Sequence, residues 1–221
     1  MSTFDGRLEL MLLGGALVAV AFVLLWSLEL RSNDASLVDV GWTLGIGGLA
    51  VLYGALGSGA PSRRLWLGVL VASWSLRLAG HIYVRHRGGP EDGRYRALRA
   101  QWGDKAHTYF FFFYQAQGAL ALVLSVPFLL IAFNPSPNIE PLELAGFVLG
   151  ALGLLGESLA DAQLWRHRKN PANRGKTCRE GLWRYSRHPN YFFEWLIWCG
   201  IGLAALGLRR RRLRERTARI D

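Results

Sequence analysis

The chain has 221 residues, of which 51% are hydrophobic, with a net charge of +10 and two cysteines. Neither Cys178 nor Cys199 belongs to a CxxC or CxxCH pattern, which excludes the common cysteine-built metal and haem sites. No glycine-rich phosphate loop of the Rossmann or P-loop kind occurs either. A soluble domain of this length is possible on composition alone. The apolar residues, however, gather into six segments near the length of about 20 residues that a bilayer core demands, too many to be buried helix cores in so short a chain.

The first segment, 8–30, is too long for a signal-peptide core, and no small-residue cleavage site follows it. The second, 37–57, has Asp39 near its start, and the third, 65–84, carries Arg77 and His81 one turn apart near its end. A basic loop at 85–107 leads to the fourth segment, 109–133, which holds Gln115 and Gln117 in its first half. The connection NPSPNIEP at 134–141 has no lysine or arginine. The fifth segment, 142–165, carries Glu157 and Asp161 one turn apart, and a second basic loop at 166–188 precedes the sixth, 189–208, with Asn190 and Glu194 near its start. Glycine-rich runs such as GWTLGIGG and GFVLGALGLLG would weaken a helix in water but let helices approach closely in lipid. The pattern predicts an all-α, polytopic membrane helix bundle of about six transmembrane helices, a single transmembrane domain over 1–208, with a basic tail at 209–221.

The basic loops set the orientation. Arg85, Arg87, Arg94, Arg96, Arg99 and Lys105 fill one, and Arg166, Arg168, Lys169, Arg174, Lys176, Arg179, Arg184 and Arg187 fill the other, whereas 58–64 has only Arg63 and Arg64. Positive loops stay in the cytoplasm, so the N-terminus is expected outside. Nucleic acid is the usual partner of a basic chain, but short loops between spans account for this charge without one, and the same loops could attract a phosphorylated cofactor or anionic membrane lipids. With that orientation Asp39, Arg77, His81, Gln115, Gln117, Glu157, Asp161, Asn190 and Glu194 all fall in the inner half of the bundle. Ionisable groups in lipid are functional candidates, and a shared cavity open to the cytoplasm would explain one common level. Pairing as structural glue is the alternative, as are snorkelling for Arg77 with His81 and helix capping for Asp39.

The densest local signal is CREGLWRYSRHPNYFFEWLIW at 178–198. Pro189 suits the first turn of a helix, and Asn190 and Glu194 then share a face. Arg184, Arg187 and His188 precede a helix N-terminus that already favours anions, so a phosphate-bearing ligand would meet cations, backbone donors and a carboxylate together.

GLWRYSRHPNYFFE resembles the C-terminal domain of the steroid 5-alpha-reductase superfamily, and LVDVGW at 37–42, WSLRLAGHIYVRHR at 74–87, EDGRYRALRAQWG at 91–103 and ESLADAQLWRHRKNP at 157–171 agree with it. The chain is most similar to that superfamily's bacterial branch of small membrane proteins, over about 35–205. The resemblance implies a multi-pass protein, in a bacterial inner membrane, that holds NADPH on its cytoplasmic side and delivers hydride to a conjugated carbon–carbon double bond of a lipophilic substrate of steroid, isoprenoid or fatty type. By motif position it implies cofactor binding by Asp161, Arg168, Tyr185, Arg187, His188, Asn190 and Glu194, and catalysis by Asp39 and Tyr83, with Arg85 beside them. A buried carboxyl can stay protonated at neutral pH, which makes Asp39 a better acid candidate than His81. The RHPNY core at 187–191 is shared with isoprenylcysteine carboxyl methyltransferases, so an S-adenosylmethionine-dependent methyltransferase is an alternative, as is a non-catalytic member of the fold. Relatives continue into a further hydrophobic helix, whereas this chain ends in LRRRRLRERTARID, which suggests a truncated or frameshifted C-terminus and a tail that cannot enter the bilayer core.

Overall fold

The structure, a computed structural model, describes the backbone of residues 3–217 and the side chains of residues 6–207. It is helical throughout, with no strand among the described residues. The chain groups into two compact units, Met1–Ser136 and Pro137–Asp221. Among the described residues, five helical stretches are long and apolar enough to cross a membrane: Gly6–Ser32, Leu37–Leu56, Pro61–His86, Gly93–Ala132 and Pro141–Lys169. The fold is therefore the polytopic helical membrane bundle that the apolar segments predict. The sixth expected span is present as a helix, Pro189–Thr217. The side chains beyond Gly207, those of the basic tail at 209–221 included, and the backbone of residues 218–221 lie outside what the structure describes.

The first unit contains α1 (Thr3–Ser32), α2 (Leu37–Leu56), α3 (Pro61–His86), α4 (Gly93–Trp102), α5 (Ala106–Leu124) and α6 (Val126–Ala132). The basic stretch expected as a loop at 85–107 therefore contains a helix. Asp92 caps α4 by accepting from the Arg94 amide at 3.0 Å. Tyr95, Leu98, Arg99 and Trp102 recur at helical spacing, and the Trp102 ring meets Phe110 edge-on at 5.0 Å. The fourth expected span is also interrupted. Pro127 has no amide proton and its ring opposes the carbonyl four residues back, so α5 stops at Leu124 and α6 begins at Val126.

At the other end of this unit, Arg63 and Arg64 act on backbone. Arg63, fully buried, donates to the carbonyls of Ser136 at 2.5 Å and Asn134 at 3.3 Å. Arg64 donates to those of Gly54, Ala55 and Gly57, satisfying acceptors that the end of α2 would leave open.

The second unit pairs α7 (Pro141–Lys169) with α8 (Pro189–Thr217). The two backbones approach through glycine. A Cβ placed on Gly200 would lie 2.5 Å from both the Gly146 carbonyl oxygen and the Gly150 nitrogen, and one on Gly146 would lie 2.5 Å from the Ala204 nitrogen. No side chain fits there without separating the helices. Gly202, on the same helix, has nothing within 4 Å of its Cβ position. Gly200→Ala should therefore destabilise the protein by about 1–3 kcal/mol through overpacking, while Gly202→Ala is tolerated. Thermal unfolding of the two variants in detergent checks this, and equal melting temperatures would contradict the packing.

Candidate functional site

The connection between α7 and α8 is tied to α7 by a chain of hydrogen bonds. Asn173 Nδ2 donates to the His167 carbonyl and to His167 Nδ1, both at 3.1 Å, so His167 Nε2 carries the proton donated to the Lys176 carbonyl at 3.2 Å. Further on, a 3-10 turn over Gly181–Arg184 returns to α7: the Leu182 amide donates to Gln163 Oε1 and Trp183 Nε1 to the Ala160 carbonyl, both at 2.9 Å. Gly181 has φ +56, and a Cβ there would lie 2.5 Å from the Gln163 amide nitrogen, so both backbone and space require glycine.

These anchors fix where α8 starts. Ser186 Oγ accepts from the His188 amide at 3.1 Å, and α8 opens at Pro189 as the sequence predicts. Asn190 Nδ2 then donates to Asp161 Oδ1 at 3.3 Å, joining the two helices. Asp161 is buried at 7% exposure. The other amide atom, Asn190 Oδ1, is buried without a hydrogen-bond partner among the described residues. Glu194, one turn further along α8, is half-buried. Arg168 lies two turns along α7 from Asp161, about 10 Å by helical rise, on the same face and exposed. Arg184, Tyr185, Arg187 and His188 are exposed at the turn, Tyr185 at 84%, and the His188 ring stacks on Tyr191 at 5.3 Å.

So the second unit brings Asp161 and Asn190 into contact, holds Glu194 next to them along α8, and leaves Arg168, Tyr185, Arg187 and His188 open around that helix start. Such a place suits an anionic ligand that also offers N–H or O–H donors: guanidinium groups for charge, helix amides at an N-terminus, and a buried amide oxygen awaiting a donor.

Asp39 and Tyr83 belong to the first unit. Asp39 Oδ2 accepts from Arg94 Nη2 and Oδ1 from Tyr95 Oη, each at 2.7 Å, so both of its oxygens hold α4. Tyr83 is exposed on α3, and Arg85 lies 3.9 Å from Asp92. Beside Asp39 stands a cluster that the sequence pattern does not single out. The Glu29 carboxylate has no exposed surface; Arg99 Nη2 approaches it to 2.8 Å and His107 Nδ1 to 3.1 Å. Arg99 also binds Glu91 at 2.9 Å, and Glu91 accepts from the Ala35 amide at 2.9 Å. Trp26 Nε1 donates to the His107 carbonyl at 2.8 Å. The signal in the sequence is Arg99 at an inward position of a short amphipathic helix, within a stretch whose charge density reads as a loop.

Two outcomes follow for this cluster. Removing one partner of a buried pair strands the other charge, so Glu29→Ala should cost about 3–5 kcal/mol, and Glu29→Leu combined with Arg99→Met should recover much of it; thermal melts that rank the double variant below the single one would contradict the pairing. Arg94, hydrogen-bonded to Asp92, holds that carboxyl down at about 2, below its ordinary 3.8. Stability from a lowered carboxyl is complete above the ordinary value and is lost as pH falls through the folded one. The wild-type protein should thus lose stability relative to Asp92→Asn between about pH 4 and pH 2 and show no such relative change from pH 5 to 8, measured as paired melting curves.

The family model described as "Protein of unknown function (DUF1295)" matches residues 25–214. Over 200 residues the chain is 27% identical to an uncharacterised protein of Schizosaccharomyces pombe, an alignment that covers 79% of this chain and 58% of that protein. Over 70 residues it is 38% identical to the probable O-methyltransferase ustE of Ustilaginoidea virens, covering 31% of this chain and 24% of that one. The chain spans less than two thirds of the length of either relative. No solved structure is a significant match.

Proposed function

As the chain belongs to the DUF1295 family, which is steroid 5-alpha-reductase-like, we propose that it is a membrane-bound, NADPH-dependent reductase of a lipophilic enone. The observation that carries this reading is the start of α8, where Asn190 bonds Asp161 through Nδ2, its buried Oδ1 has no partner among the described residues, and the preceding Arg184 and Arg187 are exposed. A donor is required to satisfy that oxygen, and NADPH carries ribose hydroxyls and a carboxamide N–H as well as phosphates. In this reading Arg168 and Arg187 take phosphate oxygens, Asn190, Asp161 and Glu194 take the hydroxyl or amide donors, and Tyr185 and His188 flank the bound nucleotide. NADPH, when bound, supplies the hydride. Tyr83 is the group assigned to the carbonyl and the proton; Asp39, whose two oxygens accept from Arg94 and Tyr95, is ionised and serves that chemistry only by holding α4. On the expected orientation the basic loops lie in the cytoplasm, of a bacterial inner membrane if the chain is of the small bacterial branch.

A second reading has one observation in its favour, the 70-residue match to a probable O-methyltransferase. S-adenosylmethionine would use the same helix start through its carboxylate and ribose. Titration of the full chain in nanodiscs with each cofactor separates the two. NADPH should bind, and Arg168→Ala and Arg187→Ala should each weaken it about tenfold or more, since a charge-assisted hydrogen bond contributes roughly 1.5–3 kcal/mol. Tyr83→Phe should leave NADPH affinity unchanged and abolish enone reduction. Binding of S-adenosylmethionine without NADPH would replace the reductase with the methyltransferase.

A further inference from the structure

The fold sorts the charge around α4. Residues 85–107 mix acids with bases, but two of their three acids are turned inward. Glu91 goes to Arg99 and the Ala35 amide, and Asp92 goes to Arg94, with side chains only 10% and 14% exposed. The third acid, Asp104, is exposed. The side chains of Arg87, Arg96 and Lys105 are exposed as well, and none has an ion-pair or hydrogen-bond partner among the described residues. Arg94, shared by Asp39 and Asp92, still shows 61% of its side chain. The outward side of α4 and its flanks therefore carries a surplus of positive charge, opposed only by Asp104.

This side lies where a membrane surface does. The ends of α1 and α3 and the starts of α2 and α5 meet here, and Gly103, at φ +52, turns the chain between α4 and α5. Tyr83 near the end of α3 and Tyr109 near the start of α5 are each about half exposed, and the Trp102 ring lies 5.5 Å from that of Tyr109. Tyrosine and tryptophan gathered near span ends mark the headgroup level, and cations at that level face lipid phosphates. We propose that the outward face of α4, with Arg87, Arg96 and Lys105, binds the headgroup of an anionic phospholipid. The phosphodiester oxygens accept from these N–H groups in charge-assisted hydrogen bonds. A choline headgroup brings its own cation beside the phosphate, which the same three side chains repel, so an anionic lipid is selected over a zwitterionic one. The inner stripe of α4 is engaged elsewhere, Tyr95 by Asp39 and Arg99 by Glu29, and holds the helix in place whichever lipid lies against it. The inference goes beyond the reductase reading and stands without it, since no residue of the cofactor site takes part.

The test offers the full chain, purified and delipidated in detergent, an equimolar mixture of phosphatidylglycerol and phosphatidylcholine with the same acyl chains. Retained lipid is counted by native mass spectrometry. Phosphatidylglycerol should be retained at least tenfold over phosphatidylcholine, since each cation at a membrane surface is expected to contribute about fivefold. Arg87→Gln, Arg96→Gln and Lys105→Gln together should bring the ratio close to one. Arg87→Lys with Arg96→Lys should keep the preference, which shows that the triple variant loses charge at these positions and not the placement of α4. Arg166→Gln, Arg174→Gln and Arg179→Gln remove the same charge from exposed positions of the second unit and should leave the ratio as in the wild type. Equal retention of the two lipids by the wild type would overturn the inference. So would an equal loss in the second-unit variant, which would reduce the effect to net charge. At matched ionic strength, inorganic phosphate that displaces the lipid where chloride does not would overturn it too, by naming a soluble anion as the occupant.

Discussion

A carboxylate in a hydrocarbon layer has to be matched, and in the first unit that rule acts through Glu29. It sits at the end of α1 with no exposed surface, and no residue of α1 itself neutralises it in the described contacts. Arg99 does, which obliges α4 to lie back against the bundle instead of extending away from it. Once Arg99 is there, Glu91 joins it and captures the Ala35 amide, fixing the link between α1 and α2. Arg94, on the same short helix, falls to Asp39 and Asp92. The result is a sheet of charge holding the ends of α1, α2, α3 and α5 through one amphipathic helix. Buried ion pairs contribute little net stability over apolar packing. What this one supplies is a position for α4, because Arg99 reaches Glu29, beside His107 of α5, only with α4 against the bundle.

The second unit meets the same rule by a different route. Glycines bring the backbones of α7 and α8 together, and that proximity lets a side chain as short as Asn190 reach Asp161. A Cβ on Gly156 would collide with the Phe193 ring, so the tight packing continues up to the turn before Asp161. The loop above is then fastened by Leu182 and Trp183, not by its charged residues. Its arginines are thereby left exposed, although each could have been consumed by a carbonyl as Arg63 and Arg64 are.

The spans were legible because length and hydropathy are set by the bilayer, and the helices α1, α2, α3 and α7 begin and end within a few residues of the apolar segments. Pro189 was legible as a helix start for a local reason, its missing amide proton. The helix α4 was not, since a ten-residue amphipathic pattern dense in arginine reads equally as a basic loop, and only the tertiary partner Glu29 decides between them. The break at Ser125 follows from Pro127, which hydropathy averages over. In the site, the contact of Asp161 with Asn190 was foreseeable from one-turn spacings on two adjacent helices. The engagement of Asp39 by Arg94 and Tyr95 was not, because it depends on the helix the pattern concealed.

The motif GLWRYSRHPNYFFE can now be divided by task. Gly181, Leu182 and Trp183 fasten the turn to α7, Ser186 and Pro189 start α8, and Asn190 reaches Asp161, all of which a helix start needs whatever it binds. On the proposed reading, such a helix start offers backbone donors to an anion and is neutral between NADPH and S-adenosylmethionine. Discrimination has to come from groups outside it. S-adenosylmethionine carries one carboxylate and a sulfonium cation, so several guanidinium groups near it would be unmatched or repelled. NADPH carries three phosphate groups. Arg184 and Arg187 at the turn and Arg168 near the end of α7 are exposed, more positive charge than one carboxylate could balance. On the proposed reading, that surplus of cations, not the motif, is the reason to expect the phosphorylated cofactor.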